Sequence, residues 1–80
     1  MNLKPLATEK AIMKIEAENI LTFVTELKAT KSEIKKDIEE LFRVKIDKIS
    51  TQIRNNQKIA YVKLNKKDLA IDVATKLGLM

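Results

Sequence analysis

The chain has 80 residues, with 16 Lys+Arg against 11 Asp+Glu, a formal net charge of +5. That length suits one small domain over residues 1–80 with a modest core, and the basic surplus suits a polyanionic partner such as nucleic acid. With no Cys, no His and a single Gly, the common catalytic constellations, disulfide or metal staples and glycine-rich phosphate loops are out of reach, so neither an enzyme nor a metal or cofactor site is expected.

No apolar run is long enough to span a bilayer, and MNLKPLATEK has no apolar signal core, which leads to a cytoplasmic chain. After Pro5, Thr8 is a helix N-cap candidate. Ala11, Ile12 and Ile15 form a short apolar stripe, and Asn19 is placed to end a helix over residues 9–17. ILTFVTEL, residues 20–27, reads as a strand. Leu21, Phe23 and Leu27 point one way, Ile20 and Val24 the other, so cover on both faces is expected.

Thr30-Lys31-Ser32-Glu33 reads as a capping box, with Thr30 as N-cap and Glu33 reaching back. Ile34, Ile38, Leu41 and Phe42 then fall on one helical face, expected to be core. VKIDKISTQI, residues 44–53, reads as a strand in which Ile49 breaks the alternation, placing a bulge near Asp47–Lys48. RNNQ, residues 54–57, supplies a turn. KIAYVKL, residues 58–64, alternates Ala60, Val62 and Leu64 against Ile59, Tyr61 and Lys63, completing an antiparallel hairpin. A last helix is expected from Asn65, with Asp68 as a second capping signal. Its stripe is Leu69, Val73 and Leu77, flanked by Ala70 and Ala74, and Gly78 ends it. The order is helix, strand, helix, strand, strand, helix. With residues 58–64 between the other two strands, it gives an α+β fold: a ferredoxin-like split βαβ, with a three- to four-stranded antiparallel or mixed sheet and helices packed on it.

The second helix carries its charges against its dipole. Lys28, Lys31, Lys35 and Lys36 lie at the front; Asp37, Glu39 and Glu40 follow. At about 100° per residue, Lys31 and Lys35 fall on one flank of the apolar face and Glu33, Asp37 and Glu40 on the other. Two readings stand. One is a solvated helix with Lys35–Glu39 and Lys36–Glu40 pairs of about 0.2–0.5 kcal/mol each. The other is an anion site in which the helix start, Thr30, Lys31 and Lys35 meet a phosphate oxygen. A second basic group is Lys45, Lys48, Arg54, Lys58 and Lys63. Arg54 and Lys58, beside Asn55, Asn56 and Gln57, form a candidate contact loop, while Lys45, Asp47 and Lys48 also suit a soluble sheet edge. Lys4, Lys10 and Lys14 form a third group. Phe23, Phe42 and Tyr61 are too few for a stacking sheet, which favours recognition of RNA backbone and shape.

Four stretches in order resemble the universal large-subunit ribosomal protein 23 family, most closely its archaeal members. They are PLATEKA (5–11), ATKSEIKKDIEELFRVKI (29–46), STQI (50–53) and KIAYVKLN (58–65). The resemblance implies a large-subunit structural protein that binds rRNA beside the nascent-chain exit. It also implies large-subunit ribosomal protein 29 as a neighbour, and docking of the signal recognition particle or other exit-site factors. Thr8, Glu9 and Lys10 match the family's N-terminal motif, with Glu9 on the docking side. Thr30, Lys31 and Lys35 match its second-helix start, and Thr51 and Lys58 its hairpin. Departures are Ser50 for the usual Asn, Ile59 for a basic residue, and Arg43 where many archaeal members have Gly. In left-handed geometry, that arginine costs on the order of 1 kcal/mol relative to Gly. The long hairpin extension of bacterial members is missing, which implies a chain that stops at the ribosome surface. The alternative is a small basic protein-interaction module off the ribosome, using the acidic flank of Glu33, Asp37 and Glu40. A small ferredoxin-like enzyme is the third reading.

Overall fold

The computed structural model describes residues 3–79. Its elements are β1 (Lys4–Pro5), α1 (Glu9–Glu18), β2 (Ile20–Thr25), α2 (Lys31–Phe42), β3 (Ile46–Arg54), β4 (Gln57–Leu64) and α3 (Ala70–Lys76). The sheet order is β1-β2-β4-β3. Every neighbouring pair is antiparallel, so β2 and β3 run parallel to each other with β4 between them. This is the expected split βαβ, a ferredoxin-like arrangement, with β1 added as a two-residue edge strand.

The caps begin and end the elements much as the sequence suggests. Thr8 Oγ1 accepts from the Ala11 N–H, and Asn19 closes α1 in the left-handed region at φ 58°. Thr30 Oγ1 accepts from the Glu33 N–H at 3.2 Å. The return bond of a full capping box, from Glu33 to the Thr30 N–H, is not among the bonds of the described residues. Arg43 ends α2 in left-handed geometry, φ 54° and ψ 47°. The β3–β4 turn is Asn55-Asn56, both at positive φ, the combination a two-residue hairpin of matching twist requires. The register slips between Ile46 and Lys48, where the broken alternation places the bulge.

One face of the sheet carries the core. Leu21, Phe23, Ala60, Val62 and Leu64 cluster there with Ile15 of α1, Ile34 and Ile38 of α2, and Ala70, Val73 and Ala74 of α3. The other face is only partly covered: Ile20, Val24, Ile59 and Tyr61 are half-buried, and Leu6, Ala11 and Thr22 share the walls of one groove there.

Four expectations need correction. Leu27 lies beyond β2, which ends at Thr25, and is 44% exposed. Leu41 is 68% exposed, because α2 packs through Ile34, Ile38 and the partly buried Phe42, leaving the other flank of its last turn to solvent. The helix expected at Asn65 begins at Ala70. Asn65 instead makes a turn, its carbonyl accepting from Asp68 N and its Oδ1 from Lys67 N, and Asp68 Oδ2 accepts from Lys45 N. These side chains are therefore spent on the loop. Leu69, assigned to the stripe, is outside the core and 54% exposed.

The missing cap of α3 comes from far away in sequence. Asn19 Oδ1 accepts from the Ala70 N–H at 2.6 Å, and Asn19 Nδ2 donates to the Asp68 carbonyl at 3.0 Å, with longer contacts to the carbonyls of Leu64 and Asn65. The residue that ends α1 thus starts α3.

Candidate nucleic-acid interface

Strand parity decides which basic side chains share a surface. Residues paired across an antiparallel ladder project to the same face. Thr22 pairs with Tyr61, and Tyr61 with Ser50; Val24 pairs with Lys4 and Ile59; Lys63 pairs with Ile20 and Lys48; Arg54 pairs with Gln57. The face opposite the core therefore carries Lys4, Lys48, Arg54 and Lys63 and the polar Ser50, Gln52 and Gln57, with Asp47 beside Lys63 at the bulge. Lys48, Ser50, Gln52, Arg54 and Lys63 are exposed.

Helix α1 adds to this face. Lys14 Nζ lies 5.5 Å from the Tyr61 ring centroid, within cation–π range. It also reaches Glu18 Oε2 at 3.5 Å, the one ion pair among the described residues. The Tyr61 hydroxyl donates to Gln52 Oε1 at 3.2 Å. Tyr61 is thus a half-buried member of the open face. Beside it runs a groove of about 510 Å³ whose walls include Thr8, Glu9, Lys10, Lys14, Arg54 and Tyr61. The N-terminal and hairpin groups, separate in sequence, meet here. Thr22 Oγ1 is buried in the same wall without a hydrogen-bond partner, which no sequence signal indicated.

The start of α2 forms a second basic site. Lys31, Ser32 and Lys35 line a groove of about 200 Å³ against Ile46, Asp47, Lys48 and Ile49. Glu33 faces elsewhere, beside Glu26, Lys28 and Ala29. Lys31 and Lys35 therefore line a different surface from Glu33. Neither Lys35–Glu39 nor Lys36–Glu40 closes to ion-pair distance among the described residues. Glu39 instead accepts from the Ile46 N–H at 3.2 Å and ties α2 to β3.

Thr8, Lys10, Arg54 and Lys63 are thus associated with the open face, and Thr30, Lys31 and Lys35 with the helix start. Thr51 and Lys58 lie apart from Arg54. They alternate to the core side, where both are half-buried. Lys58 Nζ donates to the Ala29 carbonyl at 2.7 Å, pinning the hairpin to the residue before the α2 cap. The parity of KIAYVKL shows that Lys58 and Lys63 must diverge; which of the two meets a helix is settled only by the fold. No helix of the described residues is long and apolar enough to cross a membrane.

The sequence comparisons agree with this architecture. A family model described as ribosomal protein L23 matches residues 1–71. The chain is 46% identical over 77 residues to the large ribosomal subunit protein uL23 of Methanothermobacter thermautotrophicus, covering 95% of this chain and 90% of that protein. It is 47% identical over 77 residues to the uL23 of Trypanosoma brucei brucei, covering 95% of this chain but 47% of that longer protein.

Proposed function

This chain belongs to the ribosomal protein L23 family, a structural component of the large subunit of the cytoplasmic ribosome rather than an enzyme, and we propose that it binds large-subunit rRNA through two basic surfaces. The observation that carries this reading is the open sheet face. Lys4, Lys48, Arg54 and Lys63 share it with Lys10 and Lys14 nearby, and Asp47, at the bulge, is the acidic strand residue beside them. Such a surface positions phosphates, while Ser50, Gln52 and Gln57 offer hydroxyl and amide contacts to sugar or phosphate. Thr30, Lys31 and Lys35 act as a second phosphate contact, supported by the free N–H groups and partial positive charge of the α2 start. Thr51 contributes a weaker contact, and Lys58 serves mainly as a positioning residue for the hairpin.

The family resemblance extends the proposal to location. The single domain sits beside the nascent-chain exit, neighbours large-subunit protein 29 and offers a docking surface to the signal recognition particle or other exit-site factors. Glu9 is the proposed docking residue. It is exposed on the wall of the groove shared with Lys10 and Arg54, where a basic side chain of an incoming factor can reach its carboxylate.

The test is a filter-binding titration of the chain against large-subunit rRNA across salt concentrations. With about four to six phosphates contacted, log K falls against log salt with a slope near −3 to −5, using roughly −0.7 to −0.9 per phosphate. Salt-insensitive or absent binding refutes the rRNA reading. A chain that never sediments with large subunits favours the interaction-module alternative.

A further inference from the structure

Tyr61 is the single tyrosine of a chain that has no tryptophan, and it lies on the open sheet face. The groove beside it, of about 510 Å³, falls within the size range of small-ligand sites, about 300–1,000 Å³. Leu6, Ala11 and Ile59 give it apolar wall, and the Tyr61 ring gives it a flat one. Thr22 pairs with Tyr61 across the sheet, so its side chain projects to the same face. Thr22 is 3% exposed, and its hydroxyl has no hydrogen-bond partner. A hydroxyl can both donate and accept, so a buried one left idle costs the free chain stability.

Groups that bind anions line the same groove. Helix α1 opens along its wall, from the Thr8 cap to Ala11. The Ala11 and Ile12 N–H groups are bonded to Thr8, while those of Glu9 and Lys10 have no partner among the bonds of the described residues. Arg54 joins them from the hairpin. Side-chain charge alone does not choose the occupant. Lys14 is engaged by Glu18 and the Tyr61 ring, which leaves Lys10 and Arg54 against Glu9. The choice comes from the combination of a ring face, an idle hydroxyl and free N–H groups. A nucleotide matches these with its base, a base or sugar edge, and its phosphate. An acidic side chain of a protein uses the cations and leaves the ring and the hydroxyl idle. Lys4, Lys48 and Lys63 continue the basic surface beyond the groove, which suits a polynucleotide over a single carboxylate.

We infer that this groove seats one unstacked rRNA nucleotide. Its base lies on Tyr61 against Ile59 and Leu6, an edge meets the Thr22 hydroxyl, and its phosphate meets Lys10, Arg54 and the start of α1. Lys14 yields the ring face to the base, being held there by the cation–π contact and one exposed pair of 3.5 Å. One ring is too little for a stacking sheet but enough for one base. The inference rests on the rRNA reading and deepens it: the wider surface contacts backbone, and this groove takes an extruded base.

The probes are a short RNA duplex with one unpaired nucleotide, each base in turn, the same duplex with an abasic residue at that position, and the fully paired duplex. In filter binding the best unpaired base is held at least about five-fold tighter than the abasic probe, the lower end of what stacking one base on an aromatic side chain is worth. Ultraviolet irradiation crosslinks that base to Tyr61, as read by peptide mass mapping. Tyr61→Phe keeps the preference and Tyr61→Leu loses it. Thr22→Val lowers the preference while raising the urea midpoint of the free chain, because the idle hydroxyl is gone. A threonine with only a structural role leaves the preference unchanged. In assembled large subunits, a benzophenone amino acid in place of the exposed Lys10 joins rRNA. Equal binding of the unpaired and abasic probes, a crosslink confined to other residues, or a Lys10-site crosslink to protein in place of rRNA overturns the inference. Failure of every probe and of large-subunit rRNA to bind overturns the rRNA reading itself.

Discussion

Replacing Asn19 tests the most concentrated set of interactions in the fold. Its side chain caps α3 through the Ala70 N–H and holds the Asp68 carbonyl, while its backbone occupies the left-handed region at φ 58° and ψ 37°. Asn19→Ala strands the N–H of the fully buried Ala70, at about 1–3 kcal/mol for an unsatisfied buried donor. It also places a Cβ residue without Asn's local hydrogen bonding in left-handed geometry, adding about 1 kcal/mol. The expected loss is about 2–4 kcal/mol, against a total stability of roughly 4–12 kcal/mol for a domain of this size. Urea unfolding reads the loss, and at about 4–8 °C per kcal/mol the thermal midpoint falls by about 8–32 °C. Asn19→Gly separates the two causes: it removes the cap but relieves the backbone, so it recovers about 1 kcal/mol relative to Asn19→Ala. Hydrogen exchange at the α3 amides accelerates in both variants. If Asn19→Ala unfolds within about 0.5 kcal/mol of the parent, the latch is not what holds α3 and the reasoning fails.

Arg43→Gly relieves the left-handed end of α2 and raises stability by about 0.5–1 kcal/mol, read as an increased urea midpoint at unchanged slope. Lys58→Met loses the bond to Ala29 and lowers stability by about 1 kcal/mol, while weakening rRNA binding in filter assays less than Arg54→Met does. Lys31→Glu with Lys35→Glu weakens rRNA binding more than Lys76→Glu and flattens the salt dependence by about two phosphates' worth of slope. Equal effects from the two charge reversals would remove α2 from the interface.

The hairpin was readable because its signals are local. Residue parity, the Asn-Asn turn and the broken alternation at Asp47–Lys48 each involve neighbours in the chain. Helix α3 was not, because Asn65 and Asp68 have the composition of caps but are engaged in a turn, and the actual cap lies 51 residues away at Asn19. Leu41 and Leu69 fail for the same reason. A helical stripe gives a face, but which edge of that face meets the sheet depends on partners the stripe does not name. The candidate interface divides in the same way. Alternation separates Lys58 from Lys63, yet only the packing of α2 and α3 against the opposite side makes the Lys63 face the open one.

The reversed charges of α2 follow from the sizes of competing terms. Lysines near a helix start oppose the dipole by about 0.3–1 kcal/mol each at an exposed surface. Burial of Ile34 and Ile38 contributes about 1.5–3 kcal/mol apiece, and the Thr30 cap about 1 kcal/mol more. Packing therefore outweighs the unfavourable charge pattern, and the helix forms without compensation from intrahelical ion pairs among the described residues. Because packing decides whether the helix forms, the placement of these lysines is open to selection for contact. Lys31 and Lys35 gather at the one end of α2 whose backbone also attracts an anion, facing Lys48 across the groove. A surface evolved for helix stability would put them at the other end. This arrangement costs the isolated domain a little and is offset when a phosphate occupies the site.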